Sequence, residues 1–270
     1  MIDLKYIAHK AAEILPNRMI QDDEIIEKDG LNNITTSYDI QIQNFIIDYI
    51  KRECPNAAFL CEENFLTCCE SDSLFFVIDP IDGTTNFSNN CKFSSISIAV
   101  LKKGIVNEAV VYNPYLDELF YAKLNCGAWL NDQRIRIKDA SLKKSIVGFA
   151  TCPYDANITD ATFEFGKRLF RNCLDLRRMG SSALELCYAA CGRYQLYCEM
   201  ILYPWDYMAA SLVIQEAGGR VSDLYGNELK VTQRCSVVAG CPTAHTEVIQ
   251  LFKKFLEETS LNIETNINLY

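Results

Sequence analysis

The segment Asp79-Pro80-Ile81-Asp82-Gly83-Thr84-Thr85-Asn86-Phe87 holds the residues best suited to chemistry. Its two carboxylates lie three positions apart in a turn that Pro80 and Gly83 favour, so both can point at one place. Unpaired carboxylates repel each other, and their hard oxygens bind Mg²⁺, Mn²⁺ or Ca²⁺ in preference to softer metals. Thr84 and Thr85 could begin a helix whose free N–H groups receive a phosphate. A solvated Asx-turn is the alternative interpretation of the same residues.

Two further acidic segments also lie at the ends of predicted elements. Glu62-Glu63 follows the apolar run 57–60, and Trp205-Asp206 begins a predicted helix. Together with the first segment they resemble, in the same order, the E-E, D-P-[IL]-D-G-T-x-N-F and W-D…E-A-G-G…D motifs of the inositol monophosphatase family of metal-dependent sugar phosphatases. The last motif spans Trp205 to Asp223. The resemblance covers most of the chain between residues 30 and 242 and implies a layered αβαβα fold.

The resemblance implies that water attacks a phosphate monoester with two or three Mg²⁺ ions bound, for which Mn²⁺ could substitute. It assigns the first ion to Glu62, Asp79 and the Ile81 carbonyl, and the second to Asp79, Asp82 and Asp206. It assigns the orientation and deprotonation of the attacking water to Thr84 and Asp39. Such a metal pair needs no histidine, which agrees with a chain that has only His9 and His245. Lithium sensitivity is implied as well.

Two of these assignments, those of Asp206 and Asp39, are supported less directly by the sequence. An Asp at a helix start, such as Asp206, is often only an N-cap. The family's V-T-x-x-D motif is matched less closely at residues 35–39, because Ile34-Thr35 lies one place further from Asp39 than in the family. We interpret Glu63 as facing solvent or a main-chain N–H group.

The substrate contacts that the resemblance implies are Asp82, Gly83, Thr84, Thr85, Gly180, Ser181, Ser182 and Glu199. Glu199 lies seven residues before Asp206, as the family's polyol-binding Glu does, and a buried carboxylate can accept hydrogen bonds from vicinal hydroxyls. An exposed strand end is the alternative for Glu199, and Tyr194, Tyr197 and Tyr203 are interpreted as core. We expect myo-inositol monophosphate as substrate. A fructose-1,6-bisphosphatase, another sugar or histidinol phosphatase, and a regulatory protein that binds transcription machinery remain open.

The elements that must position these residues follow from periodicity. Ile42, Phe45, Ile46, Tyr49 and Ile50 predict a helix over 38–53, and the run 74–78 predicts a buried strand that stops at Asp79. An antiparallel meander should follow over 95–122. Strands and helices then alternate, with strands predicted at 145–150, 194–199 and 235–240 and helices at 159–172, 181–191, 206–217 and 243–257. We therefore expect an N-terminal α+β half, 1–142, and a C-terminal α/β half, 143–270.

Composition limits the class of protein. The chain has 270 residues and a net charge of −9, and its Lys and Arg residues form no long cluster, so nucleic acid is not expected as the primary ligand. No apolar run approaches a membrane span, and the 13 cysteines, among them Cys68-Cys69, include no C-x-x-C motif. We expect a cytoplasmic homodimer with buried, reduced thiols that acts on a small phosphomonoester.

Overall fold

The computed structural model describes residues 2–28, 32–63, 65, 66, 73–231 and 233–259, so Cys68-Cys69 lie outside the described residues. Its helices are α1 (Leu4–Ala12), α2 (Ser37–Glu53), α3 (Thr84–Ser88), α4 (Thr159–Asn172), α5 (Ser182–Ala190), α6 (Pro204–Glu216) and α7 (Pro242–Thr259). Its strands are β1 (Ile25–Glu27), β2 (Ile34–Thr36), β3 (Ala58–Cys61), β4 (Phe65–Leu66), β5 (Phe75–Asp82), β6 (Ser95–Lys102), β7 (Ile105–Asn113), β8 (Glu118–Lys123), β9 (Gly127–Leu130), β10 (Gln133–Ile135), β11 (Ile146–Phe149), β12 (Asp175–Arg177), β13 (Leu196–Leu202), β14 (Arg220–Ser222) and β15 (Cys235–Gly240).

The larger sheet has eight strands in the order β10-β9-β8-β7-β6-β5-β3-β4. All neighbouring strands in it are antiparallel except β3 and β5. The apolar faces of α1 and α2, with Ile7, Ile42, Ile46 and Ile50 fully buried, pack against one side of this sheet. Both sides of the central strands are buried, since Ile96 and Ile98 of β6 pack in the cluster of α1 and α2, whereas Ala99 and Leu101 pack in a second cluster on the opposite side.

The smaller sheet has five strands in the order β12-β11-β13-β15-β14. β11 is parallel to both β12 and β13, whereas β15 is antiparallel to β13 and β14. Helices α4 and α7 cover its outer side through Phe165, Phe252 and Phe255, whose rings pack together at 5.0–6.0 Å between centroids.

Helices α5 and α6 lie between the two sheets in the largest apolar cluster, which contains residues of both halves of the chain. Small side chains let the helix backbones lie close to each other and to the sheets; these are Ala183, Ala189, Ala190, Ala209 and Ala210. The layers therefore run helix, sheet, helix, sheet, helix, which confirms the predicted αβαβα fold.

Strand β5 is longer than the sequence predicts. It continues through Asp79 and Pro80 to Asp82, and its pairing with β6 shifts register between Asp79 and Asp82. Pro80 lacks the N–H that a regular ladder would use, and prolines within sheets occur at such irregularities. The prediction that the strand stops at Asp79 is therefore wrong. No helix among the described residues is both long enough and apolar enough to cross a bilayer.

Candidate metal centre

Three aspartates come together where the start of α6 meets the end of β5. Asp79, Asp82 and Asp206 each present one carboxylate oxygen, and these oxygens all lie within 4.8 Å of one another. The irregularity in β5 places Asp79 and Asp82 on the same side despite their odd spacing. Asp206 lies in the first turn of α6, where its Oδ2 accepts a hydrogen bond from the Tyr203 N–H at 2.7 Å. Asp206 is thus part of a helix cap and of the acidic cluster at once.

Electrostatics favour a cation at this point. Burial, followed by the neighbouring carboxylates, raises the pKa of Asp79 and of Asp206 well above the ordinary range. Burial also raises the pKa of Asp82, although four donors oppose the shift. A divalent ion would remove the repulsion between the carboxylates. The atoms available to bind it are all hard oxygens, so the residues present fit Mg²⁺ or Mn²⁺.

Glu62 lies next to this cluster but is not one of the three clustered carboxylates. Its carboxylate contacts Asp79, and its Oε1 accepts from Lys28 Nζ at 3.2 Å. The same ammonium group lies 2.7 Å from Glu63 Oε1, which also accepts from Thr35 Oγ1 at 2.9 Å. The Glu63 side chain is therefore largely shielded from solvent and, among the described residues, binds Lys28 and Thr35 and not the solvent or main-chain N–H group expected from the sequence. Its charge is neutralised by a cation more than thirty residues away in the chain, which local sequence cannot show.

Thr84 connects the cluster to Asp39. Its Oγ1 lies 3.2 Å from Asp39 Oδ1 and 3.1 Å from the Ile81 carbonyl oxygen. Asp39 Oδ2 accepts from the Thr36 N–H at 2.8 Å and from Thr36 Oγ1 at 2.5 Å, a capping box at the start of α2. Burial raises the pKa of Asp39 to about 7. The less regular motif at 35–39 thus still places Asp39 beside Thr84, because Thr36 supplies the cap.

Asp82 holds the two halves of the site together. Its carboxylate accepts from the Ser181 hydroxyl, from the N–H groups of Ser182 at 3.1 Å and Ala183 at 2.9 Å, and from Ser95 Oγ at 3.3 Å. An anion at the N-terminus of α5 is favoured by the free N–H groups there. The predicted substrate residues Ser181 and Ser182 are therefore already bonded to Asp82, a predicted metal ligand.

Gly83 and Gly180 allow the loops from the two halves to touch. Gly83 has φ 90°, and a Cβ there would lie 2.9 Å from the Gly180 carbonyl oxygen. Asn86 fixes the same contact by donating to the carbonyls of Phe93 at 2.8 Å and Met179 at 2.7 Å. Thr85 is exposed on the first turn of α3.

Glu199 is buried, so the exposed strand end is not its environment. Its Oε2 accepts from Tyr197 OH at 2.5 Å and from Ser182 Oγ at 3.1 Å, and burial raises its pKa to about 7. Tyr197 is thus buried, as predicted, and also binds the carboxylate. Tyr203 is 38% exposed and stacks on Trp205 at 4.9 Å, so its interpretation as core is wrong.

Sequence reasoning missed Glu185. This fully buried carboxylate on α5 accepts from the N–H groups of Met179 at 3.0 Å and Gly180 at 3.1 Å, and burial raises its pKa to about 8. It therefore supports the turn that carries Ser181 and Ser182. A single carboxylate within the otherwise apolar helix 183–190 is the signal that could have identified it.

The αβαβα layers thus enclose an all-oxygen acidic site that fits a divalent metal ion. A family model for the inositol monophosphatase family matches residues 2–257. The Nus factor SuhB of Pasteurella multocida is 34% identical over 228 residues, 84% of this chain and 85% of that protein. A fructose-1,6-bisphosphatase/inositol-1-monophosphatase of Thermotoga maritima is 32% identical, covering 87% of this chain and 89% of that protein.

The structure of a Staphylococcus aureus inositol monophosphatase-II with inositol monophosphate bound superposes with a TM-score of 0.82 at 26% identity, covering 97% of this chain and 96% of that one. The chain belongs to the inositol monophosphatase family, which confirms the resemblance seen in its motifs. The roles of the individual site residues stay predictions.

Proposed function

We propose that the protein hydrolyses a phosphate monoester with Mg²⁺ bound, and that the substrate is myo-inositol monophosphate or a close analogue. The observation that carries this proposal is the cluster of Asp79, Asp82 and Asp206 oxygens within 4.8 Å, next to the Thr84–Asp39 pair. Clustered buried carboxylates are costly without a cation, so a purely structural role does not explain them.

In the proposed site, Glu62, Asp79 and the Ile81 carbonyl would hold one Mg²⁺, and Asp79, Asp82 and Asp206 a second. Bound Mg²⁺ supplies charge neutralisation for the phosphoryl oxygens and the leaving group and lowers the pKa of a bound water. For Glu62 to bind, Lys28 must give up its contact at 3.2 Å or share the carboxylate.

The chain's own residues would handle the proton. Thr84 Oγ1 is placed to accept a hydrogen bond from the attacking water while it donates its proton to Asp39 Oδ1. As the water oxygen forms a P–O bond and the ester P–O bond breaks, the water proton would pass to Thr84 Oγ1 while the Thr84 proton passes to Asp39 Oδ1, and the leaving alkoxide would take a proton from solvent. The free N–H groups in the first turn of α3, after Gly83, would hold the phosphoryl oxygens.

The polyol would lie against Glu199. Both donors to this carboxylate, Tyr197 and Ser182, use Oε2, which leaves Oε1 for substrate hydroxyls. The bound inositol monophosphate in the Staphylococcus aureus relative supports a cyclitol here. The double name of the Thermotoga maritima relative keeps fructose-1,6-bisphosphate as the alternative substrate.

The experiment is phosphate release from inositol monophosphate, fructose-1,6-bisphosphate, histidinol phosphate and an aryl phosphate, with Mg²⁺ and with chelator. We expect Mg²⁺-dependent turnover that is fastest on inositol monophosphate. Asp79→Asn should abolish it nearly completely, because Asp79 is proposed to touch both ions, and each tenfold loss in rate corresponds to about 1.4 kcal/mol.

The matched control is Asp160→Asn, which removes one carboxylate from the exposed first turn of α4 and should leave turnover unchanged. Turnover within about threefold of the parent in folded Asp79→Asn protein would contradict the two-ion assignment. Activity on none of the four esters would favour the regulatory role that the name of the SuhB relative suggests.

A further inference from the structure

A groove of about 570 Å³ lies far from the acidic cluster, between α7, the edge strand β14 and the end of α6. The lining side chains that matter most here are polar or cationic and comprise Arg220, Lys253, Gln215, Gln250, Thr246 and His245. None of the described residues that line it carries a carboxylate. Asp206 and Gln215 stand near opposite ends of α6, roughly 14 Å apart at the helical rise per residue.

The groove is positive in a chain of net charge −9. Neither Arg220 nor Lys253 forms an ion pair with any carboxylate of the residues that the structure describes. Arg220 instead donates to Thr246 Oγ1 on α7 at 3.2 Å, which directs its guanidinium across the groove. The nearby Asp223 carboxylate accepts from the N–H groups of Tyr225 and Asn227 and from the Asn227 amide, so its oxygens are already engaged.

The remaining groups suit an oxyanion. His245 is buried with a ring nitrogen 3.0 Å from Ser222 Oγ, and burial lowers its pKa to about 4, so it is a neutral hydrogen-bonding group near pH 7. The main-chain carbonyls at the end of α6 are satisfied, since the N–H groups of Gly218 and Gly219 bind those of Gln215 and Ile214. Two cations and two side-chain amides therefore line the open volume, whereas the Thr246 hydroxyl donates to the Pro242 carbonyl at 3.0 Å.

We propose that this groove is a second anion-binding site, separate from the metal centre, that binds a small phosphorylated molecule. Arg220 would form the bidentate contacts that a guanidinium makes with a phosphate. Lys253, which lies on α7, would neutralise a second negative charge of the ligand. The volume is in the range of small-ligand sites. The groove also lies at the C-terminal end of α6, whose first turn carries Asp206, so a ligand there would contact an element of the metal centre.

The test uses pyrophosphate and full-length protein that has been stripped of metal with chelator and then dialysed free of it. Without a cation the acidic cluster of the metal centre offers pyrophosphate no positive charge, so binding reports on the groove. We expect calorimetric binding and a rise in Tm with pyrophosphate concentration. Arg220→Gln/Lys253→Gln should weaken binding about tenfold or more, since two charge-assisted contacts are lost.

The matched control is Lys102→Gln/Lys123→Gln, which removes the same charge from exposed positions on β6 and β8. It should bind pyrophosphate within about twofold of the parent. Absence of binding to the parent protein, or equal weakening in both double variants, would overturn the proposal. Either result would leave the proposed hydrolysis untouched, because the measurement involves neither Mg²⁺ nor turnover.

Discussion

Glu199 is a buried carboxylate that we propose selects the alcohol part of the substrate. Its Oε2 is held by Tyr197 and Ser182, and its raised pKa of about 7 follows from burial. Burial removes the hydrogen bonds that this carboxylate would make with water. The group therefore contributes to binding only when a ligand supplies hydrogen bonds in their place. Its proposed partners are polyol hydroxyls, which an aryl phosphate lacks.

We predict that Glu199→Gln lowers kcat/KM for inositol monophosphate about tenfold or more and leaves kcat/KM for an aryl phosphate within about threefold. Steady-state kinetics on both esters provide the ratio. Equal losses on both would assign Glu199 to folding or to metal binding.

Asp206 is the one proposed metal ligand from the C-terminal half. Because Asp79 and Asp82 share a single strand, the ion that also needs Asp206 should be the more weakly held one. We predict that Asp206→Asn raises the Mg²⁺ concentration for half-maximal rate about tenfold or more.

We also expect Li⁺, which has half the charge of Mg²⁺, to inhibit the parent uncompetitively at about millimolar concentration. An unchanged Mg²⁺ dependence together with full activity in Li⁺ would reduce Asp206 to a helix cap.

At the scale of single residues, the sequence indicates which side chains are acidic but not what neutralises them. Asp79, Asp82 and Asp206 were predicted to act together, and the structure brings them together. The partners of Glu63 and the position of Glu185 depend on contacts across the fold, which no local pattern records.

Among the elements, the contact between the α3 loop and the turn before α5 is the most restrictive. A Cβ at Gly83 would meet main-chain oxygen of Gly180 at 2.9 Å, and φ 90° is strained for any other residue. Gly218 has the same φ of 90°, but no atom of the described part of the chain lies within 4 Å of its Cβ position. A substitution at Gly218 therefore introduces backbone strain alone, whereas the same substitution at Gly83 introduces both strain and a steric clash.

We predict that both Gly83→Ala and Gly218→Ala lower the free energy of unfolding by about 1–2 kcal/mol through strain. Only Gly83→Ala should also lower kcat, about tenfold or more, because it moves Thr84 and the Ser181 turn apart. Denaturant unfolding and turnover measure the two effects. Equal activity in the two variants would show that the close contact has no role in the reaction.

Long periodic elements were predicted well. The predicted bounds of α4 and β15 match the structure, and those of α2 and α7 differ by one or two residues. Edge strands β12 and β14, of three residues each, carry too little pattern to detect. The end of β5 was missed because Pro80 reads as a strand terminator, whereas the register shift absorbs it.

Across the whole molecule, the fold buries several carboxyl groups whose ionisation lowers the stability of the folded protein. The carboxyl pKa is raised by burial to about 7 in Asp39 and Glu199 and to about 8 in Glu185, against ordinary values of 3.8 and 4.5. Each group binds its proton more tightly in the folded protein than in the unfolded chain. Their contribution to stability is therefore fully present below pH 4 and is lost as pH rises through the folded-state pKa values.

We predict that the Tm of metal-free protein falls as pH rises from 5 to 8, and that Mg²⁺ raises Tm most at pH 8, where protons compete least with the ion for the carboxylates. Glu185→Gln should reduce the fall between pH 7 and 8, whereas Glu164→Gln, on the exposed side of α4, should not. Calorimetry at fixed ionic strength provides the curves. A Tm that rises over this range, or the same slope in Glu185→Gln, would contradict the buried-acid account.

Helices α5 and α6 separate the two sheets, and this layering has a consequence for how the protein can diversify. In the proposed site, the groups that hydrolyse the ester lie mainly on α2, β5 and α3, whereas those that recognise the alcohol lie on α5 and β13. In this arrangement, mutations on β13 and on the face of α5 away from Asp82 would change the accepted alcohol while α2, β5 and α3 keep the hydrolytic groups in place. A lineage with this architecture could therefore acquire new substrates without rebuilding the site of hydrolysis.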